Sequence, residues 1–444
     1  MTSAAPPRSS CACGVELARI EGVKLPKPRN LIIGVVIALV IVGMGLVIAQ
    51  DQETLRVRTS VAATDPVFPG YLAKLSGHPL TSGDSYTVLT DGDAAFPAML
   101  EAIGGARHRV SFEGYIYNSE SDIARKFTDA FVAAAQRGVE VRLVFDAFGA
   151  KVSDADAARL EQAGCRIGWF NKVQGRGLEE VNYRTHRKAL IVDGEIAFLG
   201  GIGIDDQWAR DTDKERQWRD THVRVVGPAA TDVEAAFNEN WIETGGVVDP
   251  DVIPHDPNPR GSAKSIVVWS SPEGGTNALK LVYLLTIAAA RESIDIQSPY
   301  LITDASTEWS LNEARRRGVR VRMLVEGDIT DAKPVKFAGR AQYERLMKMG
   351  IEIHEYVPAM MHVKAMVVDG AISIVGSANF DNRSFELNDE LNVVVFDRAF
   401  ARRLREDFER DLTRSTRLDL EQWRSRPLHV RAREKAWSLF GEVF

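Results

Sequence analysis

Two histidines of this chain lie in the same local pattern of residues. The two copies of the pattern H-x-K-x-x-x-x-D are His186, Lys188 and Asp193, and His362, Lys364 and Asp369. Because the chain has only 8 histidines, two copies are improbable by chance. On an extended strand, His and Lys two residues apart project from one face, so both side chains can reach one ligand.

These residue types suit phosphodiester chemistry. A fixed lysine supplies positive charge to a phosphoryl oxygen, and a histidine can attack phosphorus or transfer a proton. Two histidines facing one phosphodiester can divide the work. One attacks and forms a phosphohistidine, while the other protonates the leaving alcohol and then activates a second alcohol or water. The motifs carry no carboxylate and histidine cluster at metal-ligand spacing, and a lysine in the site repels a cation. The sequence therefore predicts chemistry with no metal and no other cofactor.

The aspartates of the two motifs are candidates for two roles. Asp193 and Asp369 are each followed by glycine, and Asp-Gly is typical of a tight hairpin turn. A structural role in the turn is favoured over direct chemistry. The buried strand bodies ALIV and AMVV come just before these turns.

A nucleophilic histidine needs an acceptor on its other ring nitrogen. Asp220 follows the first motif in QWRDTHVRVV, and Glu390 follows the second in LNDELNVVVF. Each begins a β-rich run, so the alternative is a solvated acid at the edge of a strand. Because an acid recurs after both motifs, the orienting role is favoured.

The motifs belong to a longer internal repeat. Paired segments, offset by 176 to 186 residues, are 103–117 with 287–301, 137–146 with 317–326, 160–170 with 346–356, and 186–201 with 362–377. Each copy alternates strand-like and helix-like segments. The repeat predicts two copies of one α/β unit rather than a solenoid.

The N-terminal region contains a continuous apolar run at residues 31–49. As a helix it would be roughly 28 Å long, close to the thickness of a bilayer core, so a transmembrane anchor is favoured over a cleaved signal peptide. The segment before it carries a net charge of +3. The positive-inside rule then predicts a cytosolic N-terminus and a catalytic region outside the cytosol, at the membrane surface.

Composition excludes several classes of protein. The 444 residues are 45% hydrophobic and 26% charged, which is typical of globular domains. The net charge of −6 argues against coating nucleic acid through bulk positive charge. Three cysteines cannot build a disulfide scaffold. Cys11 and Cys13 are interpreted as unspecialised tail residues, and Cys165 as a small core residue.

These observations divide the chain into seven segments. They are a cytosolic tail (1–30), a transmembrane helix (31–49), a linker (50–85), a first half (86–246), a proline-rich connector (247–264), a second half (265–413) and a C-terminal helical segment (414–444).

Four groups of flanking residues carry a resemblance to a known family. They are THRKALIVDGEIAFLGG, WRDTHVRVVGP, PAMMHVKAMVVDG and VGSANFDNRSFELNDELNVVV. With the two H-x-K-x-x-x-x-D motifs, they resemble the phospholipase D superfamily, and most closely its bacterial cardiolipin synthases. The similarity covers roughly residues 86–413.

This resemblance implies two fused α/β halves with one active site at their pseudo-twofold interface. It implies phosphatidyl transfer through a phosphohistidine, with phosphatidylglycerol and a lipid bilayer as partners and no nucleic acid. In relatives the first-motif histidine is usually the nucleophile, which would be His186, with His362 as the acid. Sequence symmetry does not decide between them. Gly201, Ser377 and Asn379 follow the motifs as orienting or phosphate-binding candidates.

One residue departs from the family pattern. The family follows each motif with Gly-Gly/Ser-x-Asn, which the second copy keeps in 376–379, whereas the first copy ends on Gly203. The missing amide removes one donor near the phosphate site, which can cost on the order of 10²-fold in rate unless water substitutes. Efficiency and acceptor preference are the properties that this departure affects.

Other residues have two interpretations each. Four arginines near the first motif form either a cationic mouth or a solvated surface: Arg184, Arg187, Arg216 and Arg219. Trp208 and Trp218 line an acyl channel or belong to the core or rim. Residues 426–444 form a membrane-contacting amphipathic helix or pack on the globular body.

The function hypotheses follow in order. The leading one is a membrane-anchored phosphatidyltransferase of the cardiolipin synthase type. A phospholipase D that uses water as acceptor requires the same residues and differs in water exclusion. A nuclease of the same superfamily is disfavoured by the apolar run and the acidic body. A scaffold with a decayed site is disfavoured by two intact His-Lys pairs.

Overall fold

The computed structural model describes residues 54–172, 183–211, 216–248, 258–271 and 278–439. The strands of these residues are β1 (Thr81–Thr90), β2 (Arg109–Gly114), β3 (Glu140–Asp146), β4 (Arg166–Phe170), β5 (Arg184–Thr185), β6 (Lys188–Val192), β7 (Ile196–Gly200), β8 (Thr221–Val226), β9 (Ala263–Ser270), β10 (Ser293–Gln297), β11 (Leu301–Ile302), β12 (Arg320–Glu326), β13 (Glu352–Tyr356), β14 (Ala365–Val368), β15 (Ile372–Gly376), β16 (Phe380–Asp381), β17 (Asn388–Phe396) and β18 (Ser415–Arg417).

The helices of the same residues alternate with these strands. They are α1 (Phe68–Ser76), α2 (Asp91–Gly105), α3 (Asp122–Gln136), α4 (Asp154–Gln162), α5 (Asp206–Ala209), α6 (Ala229–Glu243), α7 (Ala278–Ala289), α8 (Ala305–Arg316), α9 (Lys333–Lys348), α10 (Asn382–Glu386), α11 (Arg398–Leu412), α12 (Leu420–Arg424) and α13 (Leu428–Ser438).

One large mixed sheet runs through the described residues. Its strand order is β18-β13-β12-β10-β14-β15-β17-β9-β1-β8-β7-β6-β2-β3-β4, with β5 beside β17. In the first half β2, β3 and β4 are parallel, and β6, β7 and β8 are antiparallel. In the second half β10, β12 and β13 are parallel, and β14, β15 and β17 are antiparallel. The predicted α/β class is confirmed, and the antiparallel β1–β9 pair joins the halves.

Matching local sequences make the matching βαβ units. The side chain of Ser121 accepts a hydrogen bond from the Ala124 amide at the start of α3, and Asp304 caps α8 in the same way. Both helices are followed by a glycine with positive φ, Gly138 at 88° and Gly318 at 89°. Only glycine adopts that conformation without a steric cost, so the chain turns there into the next parallel strand.

The interior of the molecule is shared by the two halves. One cluster of buried apolar side chains contains Val223 and Ile191 from the first half together with Val367 and Val393 from the second. Burying such a side chain contributes about 1.5–3 kcal/mol. The two halves therefore stabilise each other rather than meeting only at a polar surface.

The segments outside the two halves also pack on them. Phe68 and Leu72 of α1, within the predicted linker, are buried in a core cluster of the second half. At the other end, β18 pairs with β13, and α13 contacts α9. Arg433 lies 4.1 Å from the ring centroid of Phe337. The described part of the C-terminal stretch therefore packs on the globular body.

The predicted transmembrane run at 31–49 lies outside the described residues, as do Cys11 and Cys13. Within the described ranges, no helix combines the length and apolar character needed to cross a bilayer. Cys165 is buried and free, as the sequence predicted.

Candidate active site

Backbone pairing between the halves places both motif histidines. β5 pairs with the start of β17, and the His186 amide then donates to the Asp389 carbonyl at 2.8 Å. Arg219 forms a bridge with Met361, and the His362 amide donates to the Arg219 carbonyl at 2.8 Å. Each histidine is therefore anchored to the residue that directly precedes a candidate acid of the other half.

The two predicted acids hold the histidines crosswise. Nδ1 of His186 lies 3.0 Å and 3.1 Å from the two carboxylate oxygens of Glu390. Nδ1 of His362 lies 2.7 Å from Oδ2 of Asp220. Each carboxylate follows one motif in the sequence but contacts the histidine of the other. An acceptor at Nδ1 places the imidazole proton there, so Nε2 carries the lone pair.

The protonation of these pairs follows from their burial. Burial lowers the pKa of His186 to about 4, although Glu390 opposes the shift. Burial also lowers the pKa of His362, against the effect of Asp220. Burial alone would raise the pKa of Glu390 and of Asp220. The histidine and the lysine near each carboxylate outweigh burial, so the pKa of both acids is lowered. At neutral pH the site therefore holds neutral imidazoles against ionised carboxylates.

The two motif lysines are buried with their histidines. Lys188 Nζ donates to the His186 carbonyl at 2.8 Å, and Lys364 Nζ donates to the His362 carbonyl at 2.6 Å. Burial lowers the pKa of Lys188 to about 7, and the charge of Lys364 adds to that shift. Burial likewise lowers the pKa of Lys364 to about 8. A bound anion would stabilise the charged form of both ammonium groups.

The motif aspartates hold turns together. Asp193 and Asp369 both have positive φ, 55° and 51°. Asp193 accepts hydrogen bonds from three consecutive backbone amides, those of residues 107–109. Asp369 accepts from the amides of 291–293 in the same way. These contacts tie each hairpin to the loop that enters β2 or β10, and they support the structural interpretation over direct chemistry.

The residues after the motifs differ between the halves. Ser377 Oγ donates to Glu390 and accepts the Leu391 amide at 2.9 Å. At the equivalent place, the Gly201 amide donates to the carbonyl of Thr221, so it is already used within the sheet. The absence of a side chain at Gly201 leaves room for the Asp220 carboxylate, because a Cβ built there would lie 2.2 Å from Oδ1 of Asp220.

Asn379 is buried close to these groups. Its backbone N–H donates to Ser384 Oγ at 3.0 Å. Its side-chain Oδ1 has no hydrogen-bond partner among the residues that the structure describes. An unpartnered buried carboxamide is a group that a ligand can satisfy.

Aromatic rings surround the two histidines unequally. The ring centroid of Tyr115 lies 5.2 Å from that of His186, and Lys188 Nζ lies 5.5 Å from the Tyr115 centroid. Trp208 and Trp218 each lie 5.4 Å from His362, and both are buried in the core of the first half. Sequence reasoning missed Tyr115, because Pro299 replaces it in the repeat. For the tryptophans, the core interpretation is the correct one.

Two of the four arginines are buried between the two halves. Arg187 is fully buried and donates to the carbonyls of Ala236 at 2.6 Å and Ser270 at 2.9 Å. Arg219 is buried and donates to Asp411 at 2.9 Å. For these two, both sequence alternatives, a cationic mouth and a solvated surface, are wrong. Their guanidinium groups link the halves because several acceptors from both sides surround them.

The other two arginines lie nearer solvent. Arg184 is half-buried, 4.6 Å from the Phe148 ring centroid, and Arg216 is exposed. Across the described ranges, no group of three or more His, Cys, Asp or Glu side chains is arranged to hold a metal ion.

Comparison with known proteins places this geometry in a class. The fold resembles the crystal structure of a phosphatidylserine synthase from Haemophilus influenzae, with a TM-score of 0.64 and 12% identity, over 85% of this chain and 100% of that one. The family model described as "Cardiolipin synthase, PLD-like domain" matches residues 99–241 and 283–412. The chain is thus an enzyme of the phospholipase D superfamily.

Curated relatives narrow the class further. A cardiolipin synthase of Geobacillus kaustophilus is 31% identical over 83% of this chain and 74% of its own length. The major cardiolipin synthase of Bacillus subtilis is 31% identical over 89% of this chain and 83% of its own length. The chain belongs to the PLD-like cardiolipin synthase family.

Proposed function

We propose that this enzyme is a phosphatidyltransferase that makes cardiolipin from two molecules of phosphatidylglycerol. The observation that carries this proposal is the pair of crossed contacts, His186 with Glu390 and His362 with Asp220, beside two buried lysines. A neutral imidazole for the attack, a second imidazole that takes up a proton when the substrate binds, and two ammonium groups match the needs of a phosphodiester that must be attacked, protonated and neutralised.

In the first step His186 attacks the donor. Its Nε2 lone pair forms a bond to phosphorus as the bond from phosphorus to the glycerol oxygen breaks. His362, protonated in the substrate complex, gives its proton to that oxygen, and glycerol leaves. Lys188 and Lys364 bind the phosphoryl oxygens. The product is a phosphatidyl group on His186, whose Nδ1–H stays bonded to Glu390.

In the second step His362 is neutral and acts as the base. It takes the proton from a hydroxyl of a second phosphatidylglycerol, and that oxygen attacks phosphorus. The bond from phosphorus to His186 breaks, which releases cardiolipin and regenerates both histidines. Asp220 stabilises the imidazolium form of His362 that precedes each proton donation.

The proposal extends to architecture and location. We propose that the halves 86–246 and 265–413 are related by a pseudo-twofold axis through this site, with 247–264 as connector. The run at 31–49 would anchor the catalytic region to the bilayer that supplies its substrates, with the N-terminus in the cytosol. Labelling introduced cysteines on both sides of the run in intact cells would test this topology.

A vesicle assay tests the reaction. Purified full-length protein in phosphatidylglycerol vesicles should form cardiolipin and an equal amount of glycerol. Substitution of either histidine, H186A or H362A, should lower the rate by at least about 10⁴-fold. Phosphatidic acid as the only lipid product would replace this proposal with phospholipase D hydrolysis. Wild-type rates in either variant would overturn the shared site.

A further inference from the structure

The carboxylates that hold the two histidines receive their support from different donors. In the second half, the hydroxyl of Ser377 donates to Glu390. In the first half the equivalent residue is Gly201, which has no side chain to donate. The close approach of Asp220 to Gly201 leaves no room for a side chain there. Asp220 must therefore receive its second side-chain donor from elsewhere in the fold.

That donor is the indole of Trp208. Its Nε1 lies 2.9 Å from Asp220 Oδ2, the same oxygen that lies 2.7 Å from Nδ1 of His362. The other oxygen, Oδ1, accepts the Thr221 amide at 2.8 Å. Trp208 is fully buried, so no solvent competes for this hydrogen bond. A buried bond to an ionised carboxylate is among the stronger neutral-donor bonds.

The departure at Gly203 makes space for this indole. A Cβ built on Gly203 would lie 2.8 Å from Ile116 Cβ and 3.1 Å from Trp208 Cζ3. In the repeat, Asn379 and Ser384 occupy the places of Gly203 and Trp208. A residue without a side chain faces a large one in the first half, and a side chain faces a small residue in the second. Gly203 and Trp208 are therefore one coupled difference.

We propose that Trp208 is the positioning residue for His362, a role that rests on the proposed function because His362 moves the protons there. The indole N–H fixes the Asp220 carboxylate and reduces its basicity, and the carboxylate in turn fixes the imidazole. Trp208 thus does for the proton-transferring histidine what Ser377 does for the attacking one.

The variant Trp208→Phe tests this role, because it removes the N–H and keeps an aromatic ring. Trp218→Phe is the matched control: its ring lies at the same distance of 5.4 Å from His362, and its Nε1 has no hydrogen-bond partner within the described ranges. We expect W208F to lower kcat for phosphatidylglycerol by about 10- to 100-fold, and W218F by less than about threefold.

A second measurement separates positioning from packing. NMR of histidine-labelled full-length protein in detergent micelles follows the titration of His362, which is assigned with H362A. The pKa of His362 should rise in W208F, since a carboxylate with one donor fewer attracts the imidazolium more strongly, and it should not move in W218F. Equal activity losses in both variants, or an unmoved titration in a slowed W208F, would overturn the proposal.

Incorporation of benzothienylalanine at position 208 guards against a folding defect. This analogue keeps the shape of tryptophan and replaces N–H with sulfur, so it should reproduce both effects of W208F. Wild-type activity in the analogue protein would overturn the role of the N–H. A wild-type enzyme inactive on phosphatidylglycerol would instead overturn the proposed function, while the titration of His362 would still test Trp208.

Discussion

His186 and His362 have similar surroundings, because the same kinds of contact recur in both halves. Both histidines follow a strand contact with the opposite half, and both bond a buried carboxylate through Nδ1. They differ in what supports that carboxylate and in what covers the ring. His186 has the longer acid Glu390 and one neighbouring tyrosine, whereas His362 has the shorter Asp220 and two tryptophans.

Under the proposed function, this difference is how a duplicated site acquires two roles. The shared strand order fixes the positions of the imidazoles, so each copy keeps a histidine, a lysine and an acid. The residues that are not shared then adjust burial: His186 is 9% exposed and His362 is 4% exposed. Both imidazoles are buried, so the proposed assignment of attack to His186 and of proton transfer to His362 rests on the mechanism and is tested below.

Among the residues that support the two histidines, the two acids should produce the largest effect when they are replaced. Glu390→Gln and Asp220→Asn each replace the charged carboxylate that fixes the Nδ1 proton with a neutral amide, and each should lower kcat for phosphatidylglycerol by about 10³-fold. The substrate phosphatidyl-p-nitrophenol should separate them, because p-nitrophenolate leaves without a proton. Release of p-nitrophenol in the first turnover should recover in D220N and stay slow in E390Q, as measured by stopped-flow absorbance. The reverse pattern would assign the attack to His362.

The lysines should produce a smaller, pH-dependent difference. Loss of the His362 proton lowers kcat/KM at lower pH, because burial lowers the pKa of His362. The charged form of Lys188 binds the phosphoryl oxygens, so kcat/KM should fall a second time as pH rises through the Lys188 pKa of about 7. In Lys188→Arg, this fall in kcat/KM should move to higher pH, towards the Lys364 pKa of about 8. The variant would then retain several-fold more of its plateau rate than the wild type at pH 8.

Lys364→Arg is the control for this measurement. It should leave the fall in kcat/KM that occurs near pH 7 unchanged. A shift of that limb in K364R but not in K188R would exchange the two assignments. The stability of the fold should change with pH in the opposite direction to kcat/KM. Burying charged Lys188 lowers the free energy of unfolding below about pH 7, and this cost disappears as pH rises from about 7 towards the pKa of a lysine in the unfolded chain.

Much of this site was predictable because its information is local. The two H-x-K-x-x-x-x-D motifs, the repeat and the Asp-Gly turns are patterns of neighbouring residues, and they identified the histidines, the lysines and both acids. The exchange of Asp220 and Glu390 between the motifs was not predictable. It depends on strand contacts between the halves, such as β5 with β17, whose partners lie about 200 residues apart in sequence.

The buried arginines illustrate the same limit. Arg187 and Arg219 stand among charged residues in the sequence, where a solvent-facing guanidinium is the usual outcome. Their burial depends on acceptors that come from α6, α11 and the end of β9. Trp208 left a weak local trace, since the small residue Gly203 stands where the family has asparagine. Only the packing shows that the indole N–H reaches Asp220.

The smallest effect should come from the motif aspartates, since their contacts are to backbone amides. Asp193→Asn and Asp369→Asn keep one acceptor oxygen and tolerate positive φ, so kcat should stay within about threefold of wild type. Stability should fall, by about 1–2 kcal/mol for D369N and less for D193N, because Asp369 is buried and Asp193 is half-exposed. Thermal melts of both variants measure this order, with the vesicle assay alongside. If either variant lost as much kcat as E390Q while melting at the wild-type temperature, a direct role of that aspartate in the chemistry would replace the structural role.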